Sequence, residues 1–499
     1  MKRFAIEGGA VTCGMKRYAV DARGENLRAQ FQFEPRGPKY GGTISLAKLV
    51  AGVWKDPIAA SASLGLERNR LTIESARIES GTAHVEASGT VENFVSPRTS
   101  LRFRGAADAA LLRQPALREG RLEAEGDFKF SSAAEWSASA AVSARGVRVV
   151  AGRVALAGVR GSARVEATPR EARASGIEVF ALGGRFTGKA RVDEARRYAI
   201  EGNIEGIALD RVVALAGRAP PPWNGMASGS VRAEGRGDGP VTAEARIDIS
   251  PGDETRPLQG FVDARLEGRK VSLRQSHLVT RSSRVDFDGV PGGAMRVKVE
   301  SRDLDDFLPA LPAESLPVRL DRGAARFEGV VEGDLETARV RGRVEASGVV
   351  IEGRRIDEAS GEIDATRDGL RARRGTVAMG KVRAEIDGSA ALREWKLERG
   401  SAVEATVQLR GEAAELSGRP EVSGEVTASA RITGTVGDPR FEAEIEVARG
   451  AVRGQSFDRA RARVSHDGKK FDLHDVAIEA GAARITGSGA FAHPPGDLG

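Results

Sequence analysis

Apolar and polar residues alternate one by one along much of the chain. In Phe441–Val447, FEAEIEV, the apolar Phe441, Ala443, Ile445 and Val447 are separated by Glu442, Glu444 and Glu446. Val403–Leu409, Ala243–Ile249 and Met295–Val299 follow the same rule. A period of two puts the apolar side chains on one face of a strand and the charges on the other. The Asp-Gly pairs at 238–239, 368–369 and 467–468 suit tight turns that need positive φ, and so predict hairpins. Helical periodicity is confined to short segments, of which Ala107–Leu112, Asp210–Ala216 and Asp303–Leu311 are the clearest. The pattern predicts an all-β chain of antiparallel strands with a few short helices, one wet face and one apolar face.

A longer period lies over the shorter one. Leu370–Gly388, LRARRGTVAMGKVRAEIDG, ends on a glycine whose slot is filled again by Gly89, Gly188, Gly289 and Gly487, at steps of 99, 101, 99 and 99 residues. Eleven residues before each marker stands an aliphatic residue: Ile78, Ile177, Leu278, Val377 and Val476. Two before it come Ala87, Phe186, Phe287, Ile386 and Ile485, and immediately before it Ser88, Thr187, Asp288, Asp387 and Thr486. Turn formers lie further upstream, at Arg68-Asn69, Thr168-Pro169, Glu267-Gly268, Asp368-Gly369 and Asp467-Gly468. Columns aligned at one period identify a repeat protein. Repeats stack into a quasi-one-dimensional body, so we expect an elongated antiparallel β-groove with a period of about 100 residues. The alternative for 499 residues would be three or four globular domains.

Residues 1–60 read as an irregular start, with strands at Tyr18–Val20, Gln30–Phe33 and Thr43–Val50 broken by Pro35, Pro38 and Pro57. From 61 to 499 the repeat reads as continuous. Ala219–Trp223, APPPW, is the most linker-like segment, yet the pattern resumes at Gly225–Gly235. Twelve residues follow Gly487, without the strand and short helix expected after the earlier markers. The sequence is expected to stop inside a repeat and to belong to a longer protein.

Composition narrows the function classes. Hydrophobic residues make up 40% and aromatics 5%, which lines a long thin surface better than it fills a globular core. The net charge is +6, but Arg and Glu are interspersed and stacking aromatics are scarce, which argues against nucleic acid. Cys13 is the single cysteine, so no internal disulfide forms. No apolar run reaches the roughly 18–20 residues of a membrane-spanning helix. The opening MKRFAIEGGAVTCGMKRYAV lacks the apolar core of a signal peptide.

No catalytic constellation stands out, so neither an enzyme nor a cofactor or metal site is expected. His466, Asp467, Asp472, His474 and Asp475 in SHDGKKFDLHD have the right atoms for a metal. Asp467-Gly468 nevertheless reads as a hairpin turn and the rest as an exposed strand face. Arg236-Gly237-Asp238 likewise reads as a turn. No P-loop or nucleophile elbow is present.

The apolar face is what needs a partner. Opposing walls either close on one another as a dry core or stay apart as a channel for something long and apolar. The residues expected to line such a channel are Ile78, Ile177, Phe186, Leu278, Val285, Phe287, Val377, Ile386, Val403, Val407, Phe441, Ile445, Val447, Val476 and Ile485. At about 11 residues per strand and turn the chain would hold on the order of 45 strands, a ladder of roughly 200 Å.

The recurring strand end apolar-x-apolar-x-Ser/Asp-Gly resembles that of the AsmA-like proteins, and more narrowly of the TamB-type translocation and assembly modules. So do residues 434–464, with their Gly-Thr-x-x-x-Pro opening, and the strand–strand–short-helix run at 282–311. The resemblance covers about residues 60–499. It implies a taco-shaped β-groove in the cell envelope of a diderm bacterium, anchored in the inner membrane by an N-terminal helix and reaching toward the outer one. The implied function is transfer of phospholipid between the two membranes, in outer-membrane biogenesis. The alternative is assembly of outer-membrane proteins with a TamA-type β-barrel partner. The family has no catalytic residues. The anchor helix and the C-terminal domain that meets TamA have no counterpart in this sequence. A purely structural β-solenoid is a further alternative, but it would show coils of roughly 20–30 residues rather than hairpins at a period near 100.

Overall fold

The computed structural model describes residues 2–492 except 16–19, 36, 38, 52–55, 113–115, 152–153, 195, 216, 218, 238, 308–319, 322, 335–336 and 352–353. The described residues form 31 strands, two α-helices and two single turns of 3-10 helix. The fold is all-β and antiparallel, as the alternation predicts.

Two units share the chain. One comprises Met1–Pro220, Gly225–Asp248 and Leu266–Arg269; the other comprises Pro221–Asn224, Ile249–Arg265 and Lys270–Gly499. The APPPW segment, the most linker-like in the sequence, falls on this division. In the first unit the fourteen strands from Arg3–Met15 to Gly225–Arg236 each pair antiparallel with the next. The second unit repeats this meander from Lys270–Val279 to Ala483–Ala492. Its one irregularity is that Ala294–Ser301 pairs with Ala324–Glu332, while the two-residue strand Leu320–Asp321 lies against Arg339–Ile351.

Strands are longer than the estimate of 11 residues per strand and turn allows. Glu135–Ala151 has 17 residues and Leu117–Ser132 has 16. The described chain therefore holds 31 strands rather than about 45, and six strands fill a repeat, seven where the two-residue strand is added. Residues 1–60 are also more regular than expected, forming Arg3–Met15, Val20–Glu34 and Lys39–Ala51. Pro35 and Pro57 lie between strands, where a missing N–H costs no ladder bond; Tyr18 and Pro38 lie outside the described residues.

Turns fall where turn formers stand. Arg68-Asn69 and Gly468-Lys469 separate consecutive strands. Near 368 the turn is Arg367-Asp368, and Gly369 already opens the next strand, one residue from the expected Asp-Gly pair. Asp238 lies outside the described residues. Each of the first four marker strands is followed by one more strand and a short helix, at Ala109–Leu112, Leu209–Leu215, Leu304–Asp306 and Ala413–Ser417. The third is one turn only as far as Phe307; residues 308–311 of the expected Asp303–Leu311 helix are not among the described ones.

The packing is thin. Fifteen apolar residues are buried among the described ones, nine of them alanines and none aromatic. Most described residues of either unit are exposed or half-buried.

Candidate functional site

A β-bulge underlies the repeat. In every repeat the strand before the marker strand slips register beside the marker, between Ile73 and Ala76, Leu273 and Ser276, and Ala372 and Gly375 in three repeats, and two residues further along, between Ala174 and Ile177 and between Leu473 and Val476, in the other two. In four of the five the inserted residue is left-handed, with φ of 56° at Gly176, 44° at Gln275, 49° at Arg374 and 53° at Asp475. The marker glycine sits opposite the slip. Gly89 faces Ile73, Gly188 faces Ile177, Gly289 faces Leu273, Gly388 faces Ala372 and Gly487 faces Val476.

A bulge leaves a backbone N–H without a ladder partner. In two repeats the short acidic residue before the glycine supplies one. Asp387 Oδ1 accepts from the Arg374 N–H at 2.9 Å, and the Asp288 carboxylate accepts from that of Gln275. Asp288 also pairs with Arg296 at 2.6 Å; that hydrogen bond, more than the Gln275 N–H, holds its carboxyl below the usual range. The glycine itself is forced by crowding. A Cβ at Gly89, Gly188, Gly289 or Gly388 would come within 3.0 Å of the carbonyl oxygen of Ser100, Glu201, Ala294 or Glu404 on the next strand. Phe186, two residues before its marker, lays its ring over the cross-paired Gly188 and Gly202, where a Cβ at either would meet the ring at 2.7 Å.

Register carries the apolar face from strand to strand. In the first unit Ile78 faces Val85, and the row continues through Gly105, Ala124 and Val142. Ile177 and Val179 face Gly188 and Phe186, and Phe186 faces Ile204. In the second unit Leu278 faces Val285, with Val299, Phe327 and Val344 beyond it, and Phe287 faces Val297. A longer row runs from Ile386 through Val407, Ala430, Ala443 and Val464 to Leu473. Val377 faces Ala384, Val403 faces Ala390, and Phe441 faces Ile432. Ile445 lies between Ala428 and Ala462, and Val447 between Val426 and Ala460. Val476 and Ile485 close the series against Gly487 and Ile478.

All fifteen residues singled out in the sequence thus lie on the apolar face of their unit. Thirteen are half-buried, while Ile78 and Ile485 are 48% and 65% exposed. None is buried as a closed dry core would require.

The opposite face is a lattice of cross-strand ion pairs. Arg185 meets Glu205 at 2.5 Å, Lys189 meets Glu201 at 2.6 Å, Arg339 meets Asp364 at 2.5 Å and Arg431 meets Glu404 at 2.7 Å. The depressions in the surface border this face. One of about 1070 Å³ lies within the second unit along Arg284, Glu300, Arg326, Glu345, Thr376 and Glu385. One of about 740 Å³ lies within the first along His84, Glu86, Arg104, Glu123, Ser143 and Ser162. Of the fifteen apolar residues only Val377 and Ile445 touch any of the five cavities described. Sequence reading missed these hollows. Their signal is the short residues, such as Ser143, Ser162 and Ser175, that break the charged columns.

SHDGKKFDLHD resolves into strand and turn. Asp467 accepts the N–H groups of Lys469 and Lys470, as a turn residue does. Asp475 is the bulge residue and meets Arg463 at 3.4 Å. His466 departs from the exposed placement expected of it. It is 4% exposed and lies on the apolar face between Phe441 and Phe471, with ring centroids 5.4 and 4.5 Å away. Its Nδ1 is 3.0 Å from the Pro439 carbonyl oxygen. Among the described residues no group of three or more His, Cys, Asp or Glu could hold a metal, and no helix is long and apolar enough to cross a membrane. Comparison with protein-family models, with curated proteins and with solved structures finds no match.

Proposed function

We propose that the apolar face carries acyl chains and that the protein is a conduit for phospholipid between the inner and outer membranes of a diderm cell envelope, serving outer-membrane biogenesis. The observation that carries this reading is the run of apolar cross-strand partners in each unit, half-buried rather than closed into a dry core. An acyl chain laid along such a surface takes both out of water, at about 0.8 kcal/mol per buried methylene. Lipid class, inner-membrane anchorage and compartment come from the resemblance to AsmA-like proteins. No covalent step is needed, so the role is that of a carrier and not of an enzyme.

The test is photo-crosslinking in cells. Probes at Ile177, Phe287 and Ile445 are expected to label phospholipid acyl chains, and probes at Glu404 and Glu444 on the ion-paired face to label few. Equal labelling of both faces would overturn the assignment. A second reading is a scaffold for outer-membrane protein assembly with a TamA-type partner, which the same resemblance implies. It predicts peptide rather than lipid adducts.

A further inference from the structure

On the charged face of the second unit, Arg383 and Arg410 stand directly opposite one another in the ladder between Val382–Ala391 and Val403–Glu412. Like charges in that position repel. Arg173 and Arg191, opposed in the same way in the first unit, show how the fold relieves such a pair: both reach the Glu171 carboxylate, at 2.5 and 2.8 Å. Arg383 and Arg410 have no such carboxylate, and among the described residues neither forms an ion pair. Arg383 donates from Nη1 to the carbonyl oxygens of Gly380 and Val382, at 2.7 and 3.0 Å, which anchors its side chain at the start of the strand.

The neighbouring acids are engaged elsewhere. Lys381 holds Glu412 at 2.6 Å and Arg449 holds Glu425 at 2.7 Å, which relieves the opposition of Glu412 and Glu425 across the next ladder. Glu385, which faces Gln408, is the carboxylate left over, so one negative charge remains against two positive ones. All of these groups border one hollow of about 870 Å³, kept roomy by Gly411, Ser423 and Gly424. Arg383 also borders the hollow of about 1070 Å³, and Arg410 one of about 640 Å³. The opposed arginines thus stand where three hollows adjoin.

We propose that Arg383 and Arg410 clasp one phosphate group in this hollow. Cβ atoms directly opposite on neighbouring strands lie about 5 Å apart, so both guanidinium groups can reach the oxygens of a single tetrahedral anion. Arginine presents a fork of N–H donors that matches phosphate oxygens in pairs, and charge-assisted bonds of this kind are the stronger ones. The anion takes the place of the carboxylate that the pair lacks, as Glu171 serves Arg173 and Arg191. The hollow has room for a phosphate ester as well as for the free ion. It lies on the face opposite the apolar rows, so the proposal does not rest on what those rows carry.

The test is isothermal titration calorimetry of the full chain at matched ionic strength. One arm uses inorganic phosphate, and the other glycerophosphoethanolamine, a lipid headgroup without its chains. Phosphate is expected to bind one to one. Arg383→Gln and Arg410→Gln are each expected to weaken it roughly tenfold. Arg431→Gln removes a cation paired with Glu404 on the same face and should leave the affinity unchanged. Arg410→Glu supplies the missing carboxylate from within the chain and should abolish binding. Circular dichroism confirms that each variant is folded. Tighter binding of the headgroup than of phosphate assigns the site to a lipid, and weaker binding assigns it to the free ion. Absence of binding in both arms overturns the proposal. So do glutamine variants at 383 and 410 that bind as before, an Arg410→Glu protein that still binds, and an equal loss in Arg431→Gln, which would mark an effect of net charge alone.

Discussion

Gly388 has no room for a methyl group, because an added Cβ would lie 2.8 Å from the Glu404 carbonyl oxygen. Gly388→Ala is therefore expected to cost about 1–3 kcal/mol, against the few tenths gained by stiffening the unfolded chain. Gly487→Ala, with nothing near it, should stay within about 0.5 kcal/mol in a dilute thermal melt. Equal melting of the two variants would refute the crowding argument. Asp387→Ala strips the acceptor from the bulge N–H of Arg374 and should cost about 1–2 kcal/mol. Asp387→Asn keeps an acceptor oxygen and should restore most of it; if Asn is as damaging as Ala, charge and not the N–H is what matters. These columns stood out in the sequence as a repeat, but their cause did not. A bulge is an event between two strands, and a single sequence shows the residues without the pairing. Gln275 and Arg374 carry no local sign that their φ is positive, since neither is glycine or asparagine.

Strands and hairpins were far more legible than bulges. Alternation over Phe441–Val447 forces one face apolar, and Asp438–Val452 is the strand that results. Strand length was not legible, because alternation tells which way side chains point and not where the ladder stops. The apolar membership of the candidate site followed from the same alternation, as Ile386 opposite Val407 illustrates. The hollows on the charged face did not, since they arise where short residues of neighbouring strands meet. That face also gives the element its pH dependence. Hydrogen bonds from Arg284, Lys298 and Arg339 hold the carboxyls of Asp286, Glu300 and Asp364 below their usual range. A depressed carboxyl stabilises the fold above its unfolded value, about 4, and loses that contribution as pH falls through the folded one. The pairs are exposed, so each contributes little and salt weakens it. Amide protection in Ser283–Ser301 and Arg339–Thr366 is accordingly expected to be flat from pH 5 to 8 and to fall below about pH 4, earlier in high salt. Loss of protection on raising the pH from 5 to 8 would contradict the assignment.

For the molecule as a whole, the question is whether the apolar walls are a core or a surface in use. Ile386→Arg separates the two. Ile386 is half-buried, with Gly375 and Val407 as its cross-strand neighbours. In a closed core an arginine there would be a buried, unpaired charge, and a penalty of several kcal/mol would unfold that part of the sheet. On an uncovered face the guanidinium can turn to water while its stem lies along Val407 and Ala430. The half-burial of Ile386 and of Val407 beside it favours the second outcome. Each strand leans mainly on the two beside it, so the disturbance stays local. We therefore expect Ile386→Arg to keep its circular dichroism and its resistance to protease. Acyl chains sliding past would meet a fixed charge on the apolar row, and lipid adducts at Ile445 should drop sharply in cells. Glu404→Arg, on the other face, serves as the control and should leave labelling unchanged. An Ile386→Arg protein that unfolds would show that the walls close on each other. One that folds and labels as before would show that lipid does not travel along this row.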